Sequence, residues 1–527
     1  MLTVAQIAQI IAKDIKKNRL GEPVHALAKG VAADSVLVLE VLDLMLVEAR
    51  KAKPKEALIA AYAFLLSRGL EEARWRQENQ SVKADDLIEK ARSVIVAAAE
   101  ERELSFVALA TLIECFAEAK IDVGEGVRHL MNATEPSGAE GMSPEAMLEQ
   151  FSGALSHLAK ELDNDAFQLH AQINDMLYAM SPKDKISMIS ILVTFDVAAL
   201  REAVLGWLLD PDSRVANTVA GFLANAADSG HVSGVAANRL VLMRNWVPED
   251  RRSAIDAIVR VARQRGVKLP NSPTLQVVDV LSTGCDGAGA QSHFVLMRQG
   301  HKHTLACLLF KHGFGIRDIL IHYDISHDEA DQLLTRVATE LHIMESSLEA
   351  VKIALAHGLS VNSETNEPLP FGLVGFLEST GLGAVHPQRI DPDELIETLL
   401  AEVAAADKNP EALKRALTNS KKWDREHGWL DSWFEDSDDA SHQLRTGPLT
   451  RKELARRLLS NVVEKRRKRW GELLAWTAHA VHGDPASEDW VQLALVAREL
   501  LGDRPIASIP LAGIIANSTA EVLLNAG

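Results

Sequence analysis

Six histidines, His293, His301, His303, His312, His322 and His327, crowd one short stretch of a 527-residue chain. His301 and His303 are two apart, so on a strand they share a face. Asp318, His322 and Asp324 share a parity on the next such segment. Imidazole and carboxylate together suit a divalent transition metal such as zinc, manganese or iron. Three convergent ligands would leave an open catalytic position. The competing reading is a row of surface histidines on a half-exposed sheet, with Asp318 and Asp324 making turn bonds. The ligands meet only if strand register brings them together, and nothing in the sequence fixes that register.

Other residues are weighed the same way. Gly284, Gly287 and Gly289 form G-x-x-G-x-G. A phosphate-cradling loop needs a helix start after it, and here a strand follows, so a hairpin loop using positive φ is expected, with Asp286 in the turn. Cys307 lies in an apolar run and reads as inert core; Cys285, in the glycine loop, is the better candidate for a reactive thiol. Arg456, Arg457, Lys465, Arg466, Arg467, Lys468, Arg469 and Trp470 form a basic tract beside an aromatic. Charge and stacking there suit nucleic acid or an anionic lipid. Two alternatives compete: a solvated helix face, or pairing with the acidic segment Asp424–Asp439 inside the fold or across a dimer. That segment carries Trp429, Trp433 and Phe434, which either dock a partner or pin the segment to the core. No G-x-S-x-G, H-E-x-x-H, Walker A or kinase signature is present.

The elements that must position these residues are mostly helices. Ala and Leu abound while aromatics make up 5%, a balance that favours helix over sheet. Helices are expected at Val4–Lys17, Ser35–Ala52, Pro54–Ser67, Ala84–Glu101, Ser105–Ala119 and Gly124–Met131, forming a helical region over 1–135. A linker follows at Glu135–Ser143, then helices across 144–270. The texture changes near Pro270. LQVVDVL, SHFVLMRQ, TLACLLF and RDILIHYD read as strands of a small antiparallel sheet at about 272–325, within a β-rich element at 271–327. Helices return over 328–527. Ser326 caps the first of them with Glu329 at the third helical position, the next is expected at Met344–His357, and the basic tract lies on one helix, Thr450–His482. Residues 359–390, rich in Gly and Pro, read as an ordered loop.

Ala199–Ala227 shows the helical organisation best. Leu205, Leu208 and Leu209 stripe one helix, Asp210-Pro211-Asp212-Ser213 turns the chain, and Val215, Val219, Phe222 and Leu223 stripe the next. Neither helix hides its apolar face alone. With Asp210, Pro211, Asp212 and Val215 in the family's order, this stretch resembles a HEAT repeat, although Arg214 precedes the Val where the family usually places Arg after it. The resemblance implies an α-solenoid, whose surfaces usually bind partners. Residues 282–370, from D-G-A-G-A-Q-S to L-A-H-G-L-S-V-N-S-E-T-N-E-P-L-P, resemble uncharacterised bacterial proteins, which implies no activity.

Bulk properties bound the partners. The net charge of −17 opposes nonspecific nucleic-acid binding by the whole surface. Three distant cysteines with no C-x-x-C suggest neither a disulfide framework nor a zinc ribbon, and fit a reducing cytoplasm. The most apolar early run, Val36–Arg50, contains Glu40, Asp43 and Glu48, which is wrong for a bilayer span. The expectation is therefore a mainly α, HEAT-like solenoid of helical hairpins with a small β element. It is a cytoplasmic protein without cofactor that scaffolds or binds a protein partner, with a homo-oligomer possible. A metal-dependent enzyme at the His-rich element and a nucleic-acid binder using 451–470 are the alternatives.

Overall fold

The computed structural model of the chain describes residues 2–17, 19, 21–78, 81–100, 104–133, 144–178, 180–270, 274–444, 450–483 and 489–526. The expected Glu135–Ser143 linker lies outside them. The fold is mainly α-helical with one five-stranded antiparallel sheet. By contact it divides into two compact units: Met1–Asn164 with Ala171–Ser187, and Asp165–His170 with Met188–Gly527. Among the described residues, no helix is long and apolar enough to cross a membrane.

The first unit is a bundle around one long helix, Glu56–Glu78. It packs against Val4–Ile15, Glu22–Ala32, Ser35–Ala49, Val82–Glu100 and Phe106–Glu118. Ile11, Leu42, Met45, Leu65, Leu66 and Leu70 are wholly buried in its core. The central helix runs well past Ser67, its expected end, and through Gly69. That glycine sits inside the helix because Ser35–Ala49 crosses there: a Cβ on Gly69 would meet Val38 Cγ2 at 2.6 Å.

In the second unit, Ala198–Ala203 continues as a tighter 3-10 turn, Val204–Leu209, and the chain reverses into the helix Ser213–Asp228. Asp212 caps that helix by accepting from the Arg214 N–H at 2.8 Å. Leu205, Leu208, Val215, Val219 and Leu223 are buried, as the stripes require. A second hairpin follows directly, Gly234–Met243 with its 3-10 end Arg244–Trp246, then Glu249–Gln264. The helices Ser213–Asp228 and Glu249–Gln264 lie side by side.

The sheet comprises β1 Gln276–Thr283, β2 Ala290–Gln299, β3 Lys302–Lys311, β4 Gly315–Ile325 and β5 Ile343–Glu345, in the order β4-β3-β2-β1-β5. The first four are the expected strands; the three-residue β5 is too short to carry a period and extends the β element past 327. On one face Phe294, Leu296 and Leu305 pack with Ala330 and Leu333 of the helix His327–Glu340. Ser326 caps this helix, and Glu329 completes the capping box. On the other face lie Leu348–Thr365 and Gly372–Thr380 against β4, and Arg467–His482 against β1. Leu348–Thr365 continues through Gly358 where a loop was expected. Gly358 lets the helix touch the sheet: its Cβ would fall 2.8 Å from Ile316 Cγ1. The expected single helix Thr450–His482 is instead Arg451–Leu458, a π-turn at Leu459–Val463, and Arg467–His482. The last of these packs along Asp489–Leu501.

Candidate functional site: a pocket between the glycine loop and the C-terminal helices

The β1–β2 loop is held by close packing. A Cβ on Gly287 would lie 1.8 Å from the Ser432 carbonyl oxygen, and one on Gly284 would strike the Trp429 ring. Only Gly289 of the three uses positive φ, +85°; the other two make room for the tryptophan segment, a correction to the hairpin reading. Asp286 Oδ1 accepts from the Ala290 N–H at 2.6 Å, closing the turn as expected. The His312 N–H donates to the Gly289 carbonyl at 2.8 Å, which sets the β3–β4 turn beside the loop.

These turns, with Leu348–Thr365 and Arg467–His482, enclose a pocket of about 40 Å³. His312 and His357 edge it, and Phe310, Ala354, Val361 and Trp476 give it an apolar lining. His312 Nε2 lies 3.3 Å from Glu472 Oε2. His357 Nδ1 accepts from the Ile390 N–H at 3.2 Å, so the neutral ring carries its hydrogen on Nε2. Its ring rests against Trp476, centroids 4.6 Å apart. Arg469 Nη2 donates to the Gly287 carbonyl at 2.6 Å, with its guanidinium over the Trp470 ring.

Burial dominates the electrostatics. It pushes the Glu472 carboxyl up to about 7, against the pull of Arg389 and Arg469. It pushes His312 down to about 3, with Arg469, His357 and Arg389 adding to the effect, and His357 down to about 4, with Arg389 adding. Near neutral pH the imidazoles are therefore uncharged, and of the Glu472–His312 pair the carboxyl is the group that holds a proton. Cys285 lines the same pocket. It is no reactive thiol: burial pushes it up to about 12, which corrects the expectation. Cys307 is half-buried, with its thiol held at about 11 by burial.

The candidate metal residues are spread along the sheet. His301 is exposed in the β2–β3 turn, and His303 is buried beside the His327 ring. On β4, Asp318 is exposed opposite Leu309, while His322 sits opposite Leu305. At roughly 3.4 Å per residue, Asp318 is about 20 Å along the sheet from His303. Asp324 takes φ +55°, and its carbonyl accepts from Lys302 Nζ. Among the described residues, no three His, Cys, Asp or Glu side chains are grouped to hold a metal ion. Parity put the ligands on shared faces, but the ladder offset and a register shift between His303 and Leu305 keep them apart.

The basic tract is largely absorbed by the fold. Glu435, from the acidic segment and 2% exposed, accepts from Arg466 at 2.8 Å and from Trp470 Nε1 at 2.7 Å. Arg467 donates to the carbonyls of Glu499, Leu500 and Arg504 and pairs with Glu464. Arg457 is half-buried; Arg456, Lys465 and Lys468 face solvent. Trp429 and Trp433 are buried, and Trp433 Nε1 donates to the Cys285 carbonyl at 2.9 Å. With half-buried Phe434, they pin the acidic segment onto the glycine loop rather than project from it.

The pocket residue His357, and Glu472, which lies against His312 but does not line the pocket, were not singled out from the sequence. A signal existed for Glu472. It is the one acid in the apolar run Gly471–Val481, spaced to share a helix face with Arg469 and Trp476.

Comparison with known proteins finds similarity to an uncharacterised bacterial protein. Residues 182–266 match the family model described as the Y4lR second domain, and residues 393–524 match the Y4lR C-terminal helical domain. Over 394 residues the chain is 25% identical to the uncharacterized protein y4lR of Sinorhizobium fredii (strain NBRC 101917 / NGR234), covering 73% of this chain and 75% of that one. The first match spans both hairpins, and the second contains Arg469 and Glu472. No solved structure matches.

Proposed function

We infer that this chain is a non-catalytic interaction protein whose partner surface is built on the helical hairpins of residues 198–264, in the manner of HEAT-like repeats. The observation that carries the reading is a repeat in burial rather than in sequence. The offset from Ala198 to Gly234 equals that from Ser213 to Glu249, within the roughly 20–50 residues that mark stacked repeats. At that offset four buried apolar positions fall on buried apolar ones, Val204 on Leu240, Val219 on Ile255, Leu223 on Val259 and Ala226 on Ala262, while Val215, Ala216 and Ala220 fall on the half-buried Arg251, Arg252 and Asp256. Exposed positions match as well, Asn217 with Ser253 and Gly221 with Ala257. Small side chains at the matched outward sites leave backbone and helix surface open to a partner.

The reading needs no cofactor and takes the working compartment to be the cytoplasm, in keeping with three free cysteines. It is tested by capturing partners from the native bacterium with the wild-type chain and with Asn217→Arg combined with Ser253→Arg. Arginine at these exposed sites leaves the fold intact and blocks close approach. A defined protein recovered by the wild type and lost by the variant, at unchanged Tm, is the expected result. Identical recovery by both would place the partner surface elsewhere.

A further inference from the structure

We propose that the pocket bounded by the β1–β2 loop, the β3–β4 turn and the helices Leu348–Thr365 and Arg467–His482 binds a small organic monocarboxylate. Its carboxylate would lie toward His357 and Lys311, and its short carbon chain against Phe310, Ala354, Val361 and Trp476. This site is separate from the hairpin surface and does not rest on the interaction reading.

Three observations carry it. The space is of ligand-fragment size: about 40 Å³ compares with the roughly 10–15 Å³ that admits one water. The mouth is at exposed Gly313, where an added Cβ would meet nothing within 4 Å. Inside, the lining is mainly apolar, which suits an alkyl group and suits a phosphate poorly, because a dianion needs donors on most sides.

The polar lining is the cation Lys311, the neutral rings of His312 and His357, and the Gln291 amide, whose N–H groups are taken by the Thr283 and Trp476 carbonyls. His357 receives the Ile390 N–H on Nδ1 and so offers a donor on Nε2. Lys311, 8% exposed, lines the same space; its charge also acts on the Asp286 carboxyl, and its Nζ lies 5.9 Å from the Phe314 ring centroid. The nearby acids are engaged: Asp286 accepts from the Ala290 N–H, Asp391 caps the helix Pro392–Ala401, and Glu472 lies against His312 with burial opposing its charge. The histidines are pushed toward their neutral forms partly by the positive charges of Arg469 and Arg389. An arriving carboxylate meets that same field with the favourable sign.

The test uses the full chain at pH 7, with acetate, propionate, butyrate, inorganic phosphate and chloride matched for ionic strength. Calorimetric titration should show saturable binding of butyrate, tighter than acetate, and none of phosphate or chloride. His357→Leu should weaken butyrate at least tenfold, and Val361→Phe, which fills the space, should abolish binding. Because Val361→Phe is a core change, line broadening of ¹³C-carboxyl butyrate by the wild-type protein gives a second reading that needs no variant. No saturation and no broadening overturns the proposal. So does equal binding of phosphate, or an affinity unchanged by His357→Leu.

Discussion

Removing the Glu435 carboxyl would leave two donors without their acceptor inside the fold, the Arg466 guanidinium and the Trp470 Nε1–H. Breaking a buried charge pair costs several kcal/mol, because the surviving partner stays desolvated. Arg466 is a quarter exposed, which trims that cost. Glu435→Ala is therefore expected to lower the unfolding free energy by about 3 kcal/mol, whereas Lys465→Glu with Lys468→Glu should change it by less than about 0.5 kcal/mol. Urea midpoints decide between these, and the reverse ranking would mean the basic tract is not held as described. Charge counting in the sequence exposed the opposed tracts but not which arginines they consume, because that depends on the helix phase set by the π-turn at Leu459–Val463.

Two deeply buried histidines set a pH dependence. His293 is held at about 3 and His479 at about 4, chiefly by burial. Above pH about 6.5 both the folded and unfolded chains carry them neutral, and their full contribution to stability is present. Below it the unfolded chain takes up protons that the folded chain refuses. Stability then drops by up to about 1.4 kcal/mol per pH unit for each residue, until the folded values are reached. Glu472, held at about 7, works the other way: its contribution is present below about pH 4.5 and is lost as pH rises through 7. His312 and His357 add to the histidine side, so the net slope is positive between pH 5 and 6.5. Thermal melts across that window should show Tm rising with pH, and His293→Gln with His479→Gln should flatten the rise. An unaltered slope in the double variant would show that these rings are not the source.

At the scale of elements, glycines separate what could be read from what could not. The four long strands and the Ser326 cap with Glu329 followed directly from alternation and capping chemistry. Helices were expected to end at Ser67 and His357, shortly before Gly69 and Gly358, yet both glycines lie within helices. Their role is contact with Val38 in one case and with Ile316 and Phe310 in the other, and a tertiary contact leaves no local trace in sequence. Gly221 is helical too, but a Cβ there would meet nothing within 4 Å. Gly358→Val is thus expected to destabilise by about 2 kcal/mol or more through overpacking, while Gly221→Ala should stabilise by about 0.5–1 kcal/mol. Chemical denaturation of the two variants checks this, and a loss in both would return Gly221 to a packing role.

For the whole molecule, composition pointed to a mainly helical chain, and one hairpin, Ala198–Asp228, was legible from its Asp-Pro-Asp turn. The second hairpin was not recognisable as its copy. At the same offset Asp210-Pro211-Asp212 becomes Trp246-Val247-Pro248, so the Pro moves by one place, and the matching helix starts and shared buried positions are what suggest a repeat. The pocket was equally hidden, because its walls come from residues 285–315, 354–361 and 473–476, which no short motif links. The claim on which the functional account depends is that the outward faces of Ser213–Asp228 and Glu249–Gln264 carry the partner. Hydrogen–deuterium exchange of the full chain, with and without the captured protein, tests it most directly. The account predicts new protection concentrated in those two helices. Protection centred on Arg451–Trp470 or on the sheet, with the two helices unchanged, would contradict it.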